Sequence, residues 1–257
     1  MTRLAPPELH GFDWSGAQSA QLLNADSIRL VYERLSQVTA FLEGRVDDLE
    51  DCSWAKPLVR MAKRGEWGTL KNELLEESID SNLSDFIKWL THQCTTDAQV
   101  DTAIIFHDLS NWRYTFRDRS MSSFNSERLP TLRYIHPKLI EGEIVKLILI
   151  ARTTQNHSPI ILALGLAANF IAIHPFPDEN GRAGRALLIA ILRNFGIWKE
   201  HNLPLSFLLY RDRAHYLILQ QSLFVEKNWA AYVRYMCSAL CAAAEMSFLC
   251  NFQQHEF

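Results

Sequence analysis

Apolar residues recur at spacings of three and four between Ser27 and Gly44, at Ile28, Val31, Leu35, Val38 and Leu42. That periodicity predicts an amphipathic helix, with Asp26 or Ser27 able to cap its start and Gly44 able to end it. Residues 1–24, with Pro6 and Pro7, read as an irregular lead-in. Two or three short helices are expected between Trp54 and Gln93, broken at Gly65 and Gly68. The texture changes at Asn111. Trp112, Tyr114 and Phe116 alternate with polar residues, a Ser/Asn-rich stretch follows, and Leu132–Ile135 is again extended in character, which together predict a hairpin over Asn111–Pro137. Helical spacing returns in Pro137–Thr154. The run "PIILALGLAANFIAI", Pro159 to Ile173, is the longest apolar run in the chain and reads as a helix buried on most sides. It is shorter than the roughly 20 residues that cross a membrane and contains Asn169, so it predicts a helix buried in protein. A further helix starts near Gly181 and stops at Gly196, and Ser206–Leu249 is mostly helical. The expected fold is mainly α with one small β-hairpin.

Composition narrows the function classes. The chain has 257 residues, 48% of them hydrophobic, enough for a sizeable core. Its net charge of -3, from 26 Lys+Arg against 29 Asp+Glu, speaks against general binding to nucleic acid or to an anionic membrane surface. Five loosely spaced cysteines, Cys52, Cys94, Cys237, Cys241 and Cys250, read as free thiols in a reducing compartment. The N-terminal residues lack the apolar segment of a secretory signal, so the expected location is the cytoplasm.

The chemistry concentrates in "HPFPDENGRAGR", His174 to Arg185. Pro175 and Pro177 end the apolar helix, because proline lacks an N–H and restricts the residue before it. His174 therefore stands at that helix end, where an imidazole can act as a base for an attacking hydroxyl. Asp178 and Asn180 precede the next helix, whose first turn offers unpartnered N–H groups and partial positive charge, a natural seat for phosphate. Gly181 lets a ligand approach the backbone, and Arg182 and Arg185 lie three apart on the helix surface, suited to an oligophosphate. Asp178 supplies an oxygen ligand for Mg²⁺ bridging phosphates. These parts imply phosphoryl or nucleotidyl transfer to a hydroxyl.

The same stretch resembles the signature of the Fic-domain family, His-Pro-Phe-x-Asp/Glu-Gly-Asn-Gly-Arg-x-x-Arg, at His174, Pro175, Phe176, Asp178, Asn180, Gly181, Arg182 and Arg185. A softer resemblance extends over roughly residues 100 to 240. It implies a Fic-type helical bundle with a hairpin flap, residues 96–257 being the catalytic core with C-terminal helices and residues 1–95 an N-terminal helical region. By the resemblance His174 deprotonates a target hydroxyl, Phe176 packs in the core, Asp178 binds Mg²⁺ between the α- and β-phosphates of ATP, Asn180, Gly181 and Arg182 cradle phosphates, and Arg185 reaches the γ-phosphate. AMP would pass from ATP to a Tyr, Thr or Ser hydroxyl of a target protein, with self-modification a variant of that reaction. Glu179 departs from the glycine the family commonly has, and its carboxylate would repel phosphate unless it pointed into water.

"TAFLEG", Thr39 to Gly44, resembles the family's inhibitory motif, Ser/Thr-x-x-x-Glu-Gly/Asn. Glu43 would pair with Arg185 and occupy the place of the γ-phosphate, so the enzyme would be autoinhibited. The hairpin resembles the flap that aligns a target segment by strand addition. Tyr216 falls where the family often lines the adenine pocket, with a core position as the alternative. Family members also pair through helical faces, which leaves a homodimer open. Two further readings stand beside adenylyl transfer: removal of AMP, or transfer of another phosphate-containing group, at the same site; and a non-enzymatic helical interaction module whose site has decayed through Glu179.

Overall fold

The computed structural model describes residues 14–42, 55–56, 60, 80–96, 101–123, 132–153, 158–199 and 203–255. Ten α-helices lie within these residues: α1 Trp14–Leu23, α2 Ala25–Leu42, α3 Ser81–Thr95, α4 Thr102–Ser110, α5 Ile140–Thr153, α6 Pro159–Ile173, α7 Asn180–Asn194, α8 Leu205–Arg211, α9 Arg213–Glu226 and α10 Trp229–His255. Two 3₁₀ turns, Arg113–Thr115 and Pro137–Leu139, complete the described regular structure. The mainly α expectation holds. None of the described helices is long and apolar enough to cross a membrane.

The predicted hairpin is corrected. Trp112–Phe116 is not a strand, because Arg113–Thr115 winds into a 3₁₀ turn. The side chains of Trp112 and Phe116 turn inward onto Phe86. Alternation of aromatic and polar residues here reflects a turn gripping the core, not a pleat. Among the described residues the pairing amounts to one antiparallel bridge, Ser122 with Arg133, flanked by Ser123 N–H to the Leu132 carbonyl at 2.7 Å and Tyr134 N–H to the Met121 carbonyl at 3.0 Å. The Ser/Asn-rich middle of the expected hairpin, the breaks at Gly65 and Gly68, and Glu43 lie outside the described residues. The lead-in is corrected too: residues 14–23 form α1, whose Ala17 and Ala20 are buried. Small alanines carry little weight in an apolar periodicity, which hides that face in the sequence.

Helix α6 forms the centre. Pro159 opens it at the first turn, where a missing N–H costs nothing. Thirteen of its fifteen residues are buried. It packs on α7, and α7 packs in turn on α3, which also contacts α5. Gly184 lets α6 and α7 meet closely: a Cβ there would stand 2.6 Å from Ile171 Cγ1 and 3.3 Å from the Ala167 carbonyl oxygen. On the other flank α1 and α2 lie against α10, and Arg34 of α2 pairs with Glu245 of α10. Helix α7 ends as its glycine predicts. Gly196 has φ +67°, and the Ile197 N–H turns back to the Leu192 carbonyl at 2.9 Å.

Candidate active site

The segment from His174 to Asn180 joins α6 to α7. His174 ends α6 in the left-handed region, φ 53°, with its N–H still donating to the Phe170 carbonyl at 3.0 Å. For an L-residue that conformation costs on the order of 1–2 kcal/mol, so its surroundings must hold it. Arg117 does so. Its buried guanidinium donates from Nε to the His174 carbonyl at 2.6 Å, from Nη1 to the Arg119 carbonyl at 2.9 Å and from Nη2 to the Ile135 carbonyl. The Arg117 N–H adds a bond to the Pro175 carbonyl at 2.8 Å. Burial lowers the Arg117 pKa, opposed by nearby Tyr134. The sequence reading assigned Arg117 no role. One arginine among three in the stretch Arg113–Arg119 carries no signal that it will be the buried one.

Phe176 fastens the loop from the other side. It is buried in an aromatic cluster, with ring centroids 5.2 Å from Phe86, 5.8 Å from Phe116 and 6.1 Å from Phe170. Burying such a ring stabilises by roughly 1.5–3 kcal/mol. Asn180 closes the turn. Its side-chain oxygen accepts from the Phe176 N–H at 2.9 Å, and its amide donates to the Phe176 carbonyl at 2.8 Å. The Asn180 side chain is thus spent on the loop, and its contribution to a phosphate would come through the main chain.

The His174 ring has a defined orientation. Nδ1 lies 3.3 Å from the Ile171 carbonyl oxygen, which can only accept, so Nδ1 carries the hydrogen and Nε2 keeps its lone pair. Burial lowers the imidazole from 6.5 to about 4; Arg117 pushes the same way, while the Ile171 bond and Asp178 oppose it. At neutral pH the ring is an uncharged acceptor. One of its faces is stacked on Tyr134, another residue to which the sequence reading gave no role.

The second half of the segment is built differently. Asp178 is exposed and accepts the Glu179 N–H on Oδ1 at 2.7 Å. Glu179 stands just ahead of α7 with φ 65° and ψ 3°, the left-handed conformation in which a glycine is free of strain. The glycine of the family signature at this position therefore has a backbone reason. The Glu179 carboxylate does not point into water alone: Oε1 pairs with Arg182 Nη2 at 2.5 Å, and Oε2 lies 3.5 Å from the Asp80 N–H that precedes α3. Asp178, Glu179, Asp80 and Phe176 line a cavity of about 200 Å³ between α3 and the loop. Arg185 donates from Nε to Ser206 Oγ at the start of α8, and its guanidinium runs past Gly181, where a Cβ would stand 3.3 Å from Nη1. Gly181 thus leaves space for the Arg185 guanidinium.

Tyr216 is 7% exposed and packs within the core. Its hydroxyl accepts from Gln220 Nε2 at 2.7 Å, and its ring lies near Tyr235. Thr39 is buried, with its hydroxyl 3.5 Å from the Ile197 carbonyl just past α7. Among the described residues no group of three His, Cys, Asp or Glu gathers around a point that could hold a metal. Cys94, Cys237 and Cys241 are free thiols.

A curated relative, a Fido domain-containing protein of Dictyostelium discoideum, is 38% identical over 66 residues, 24% of this chain and 46% of the relative. The match thus spans about half of that relative's length. Among solved structures, a Fic family protein from Desulfovibrio desulfuricans G20 aligns at a TM-score of 0.46 and 15% identity, covering 95% of this chain and 76% of the other. Residues 103–192 match the Fic/DOC family over a stretch that runs from α4 into α7 and includes every residue of the His174–Arg185 segment. The similarity to the Fic/DOC family thus lies in residues 103–192, the part of the chain that holds the candidate site.

Proposed function

We propose that the protein is an adenylyltransferase that moves AMP from ATP to a hydroxyl side chain of a target protein. A neutral imidazole, with Nδ1 committed to the Ile171 carbonyl and Nε2 left as acceptor, supports this most strongly. His174 takes the proton of the incoming hydroxyl on Nε2. The hydroxyl oxygen attacks the α-phosphorus, the bond from that phosphorus to the bridging oxygen breaks, and pyrophosphate leaves. The N–H groups of Asn180 and Gly181 at the start of α7, with Arg182, hold phosphate oxygens; Arg185 reaches the γ-phosphate. Asp178 would hold Mg²⁺, which would supply positive charge to the phosphates. A single exposed carboxylate fits that task, because Mg²⁺ commonly takes one or two protein carboxylates plus substrate phosphates and water. Tyr216, 7% exposed, would have little surface to offer an adenine site.

Regulation by Glu43 belongs to the same proposal. Thr39, at the start of its motif, places its hydroxyl 3.5 Å from the Ile197 carbonyl, and Glu43 follows four residues later in the sequence. Pairing of Glu43 with Arg185 would compete with the γ-phosphate. The test incubates parent, Glu43→Gly and Glu43→Gly/His174→Ala proteins with lysate and α- or γ-labelled ATP. The expected result is protein label from α-labelled ATP alone, stronger in Glu43→Gly and lost with His174→Ala. Label from the γ position would mean phosphorylation, and ATP binding without label in any variant would favour an interaction module.

A further inference from the structure

Tyr134 lies on the extended piece that carries the Ser122–Arg133 bridge, and its ring stacks on the His174 imidazole with centroids 3.7 Å apart and planes 11° from parallel. Both partners of this stack are tied down. The Tyr134 N–H donates to the Met121 carbonyl, the next carbonyl along, that of Ile135, accepts from Arg117, and the same guanidinium also donates to the His174, Arg119 and Ile173 carbonyls. One buried cation thereby joins the segment bearing the phenol ring to the loop bearing the imidazole.

We propose that Tyr134 is a positioning residue for the transfer step, holding the imidazole with Nε2 open and stabilising the imidazolium that forms when Nε2 takes the hydroxyl proton. This rests on the reading of His174 as the base. The face of a phenol ring carries negative electrostatic potential, so it attracts a cation stacked over it more than a neutral ring. The imidazole is neutral before the reaction and positive as the proton arrives. An interaction that strengthens along that path lowers the barrier without tightening substrate binding. The other charged groups that act on the ring, Arg117 and Asp178, have opposite signs, and the Ile171 carbonyl faces Nδ1.

The experiment compares Tyr134→Leu and Tyr134→Phe in the full-length Glu43→Gly protein, with Tyr134→Met as a second aliphatic replacement and circular dichroism to verify folding. Tyr134→Leu is expected to lower kcat about tenfold, as a cation–π contact of ordinary strength implies, with KM for ATP little changed. Tyr134→Phe restores most of that loss, since it keeps a π face. In ¹³C-edited histidine spectra, the His174 ring protons should lie upfield under the aromatic ring in Tyr134 and Tyr134→Phe proteins and move downfield in Tyr134→Leu. Parent-like kcat in both aliphatic variants, or His174 protons that do not move in them, overturns the proposal. Absence of label from α-labelled ATP in every protein, parent included, defeats the transferase reading and the imidazolium role with it, while the spectra still decide the clamp.

Discussion

At its histidine end the 174–185 segment is gripped by a buried guanidinium, a buried phenylalanine and a stacked tyrosine. At its arginine end it is held by an ion pair between Glu179 and Arg182 whose side chains are 24% and 38% exposed. The first half consists of packed rings and a cation sunk among carbonyls, and moving that cation leaves buried carbonyls without partners. The second half consists of charges near water, where exchanging one anion for another costs little. Under the proposed transfer reaction, a base must be ready before the substrate arrives, whereas a phosphate seat must be able to release what it holds. The two halves differ in the property each task needs.

Removing the base itself should have the largest effect. In the Glu43→Gly background, His174→Ala is expected to reduce transfer of α-label by about 10²–10⁴-fold, the usual range for a positioned general base, while ATP binding by calorimetry is retained. Next comes the clamp. Arg117→Ala strips the His174, Ile135 and Arg119 carbonyls of a charged donor and should cost roughly 3–5 kcal/mol, read as a lower urea midpoint at unchanged slope.

The pH dependence of stability provides a third measure. The folded His174 titrates near 4 and the unfolded chain near 6.5, so between those values the unfolded state binds more protons. Stability from this residue is complete above about pH 6.5 and is lost as pH falls toward 4, by roughly 3 kcal/mol in all. His174→Gln should flatten that part of the urea-midpoint profile; an unchanged slope would show that the ring is not held away from water. The smallest effect belongs to the exposed half. Glu179→Gln frees Arg182 and removes a carboxylate beside the phosphate seat, so ATP affinity should rise about fivefold, in keeping with a surface pair worth up to ~1 kcal/mol, with adenosine affinity unaffected. A rise for both ligands would place the effect outside the phosphate contacts.

How much was legible beforehand follows the same division. The apolar run of α6, its stop at Pro175 and Pro177, and the end of α7 at Gly196 were readable, because each rests on local chain chemistry. So was the gathering of His174, Asp178, Arg182 and Arg185 onto one short segment, since they are close in sequence. Arg117 and Tyr134 were not, because they reach His174 across 57 and 40 residues, and nothing local marks them. The ion pair of Glu179 was missed for another reason: a carboxylate three residues before an arginine can point to water or to its neighbour, and the left-handed backbone at Glu179 helps decide which. The strand expected at Trp112–Phe116 failed because alternation alone cannot distinguish a pleat from a turn that drives two aromatic rings into a core.

Gly184 carries a consequence beyond packing. Even a methyl group there would collide with Ile171, so any side chain at that position would have to push apart the two helices that flank the loop. Adjustment of the pocket to a new ligand is thereby confined to side chains at its rim. In a saturation library, position 184 should be nearly as intolerant as the histidine itself, although it touches no reactant, while diversity accumulates at position 179.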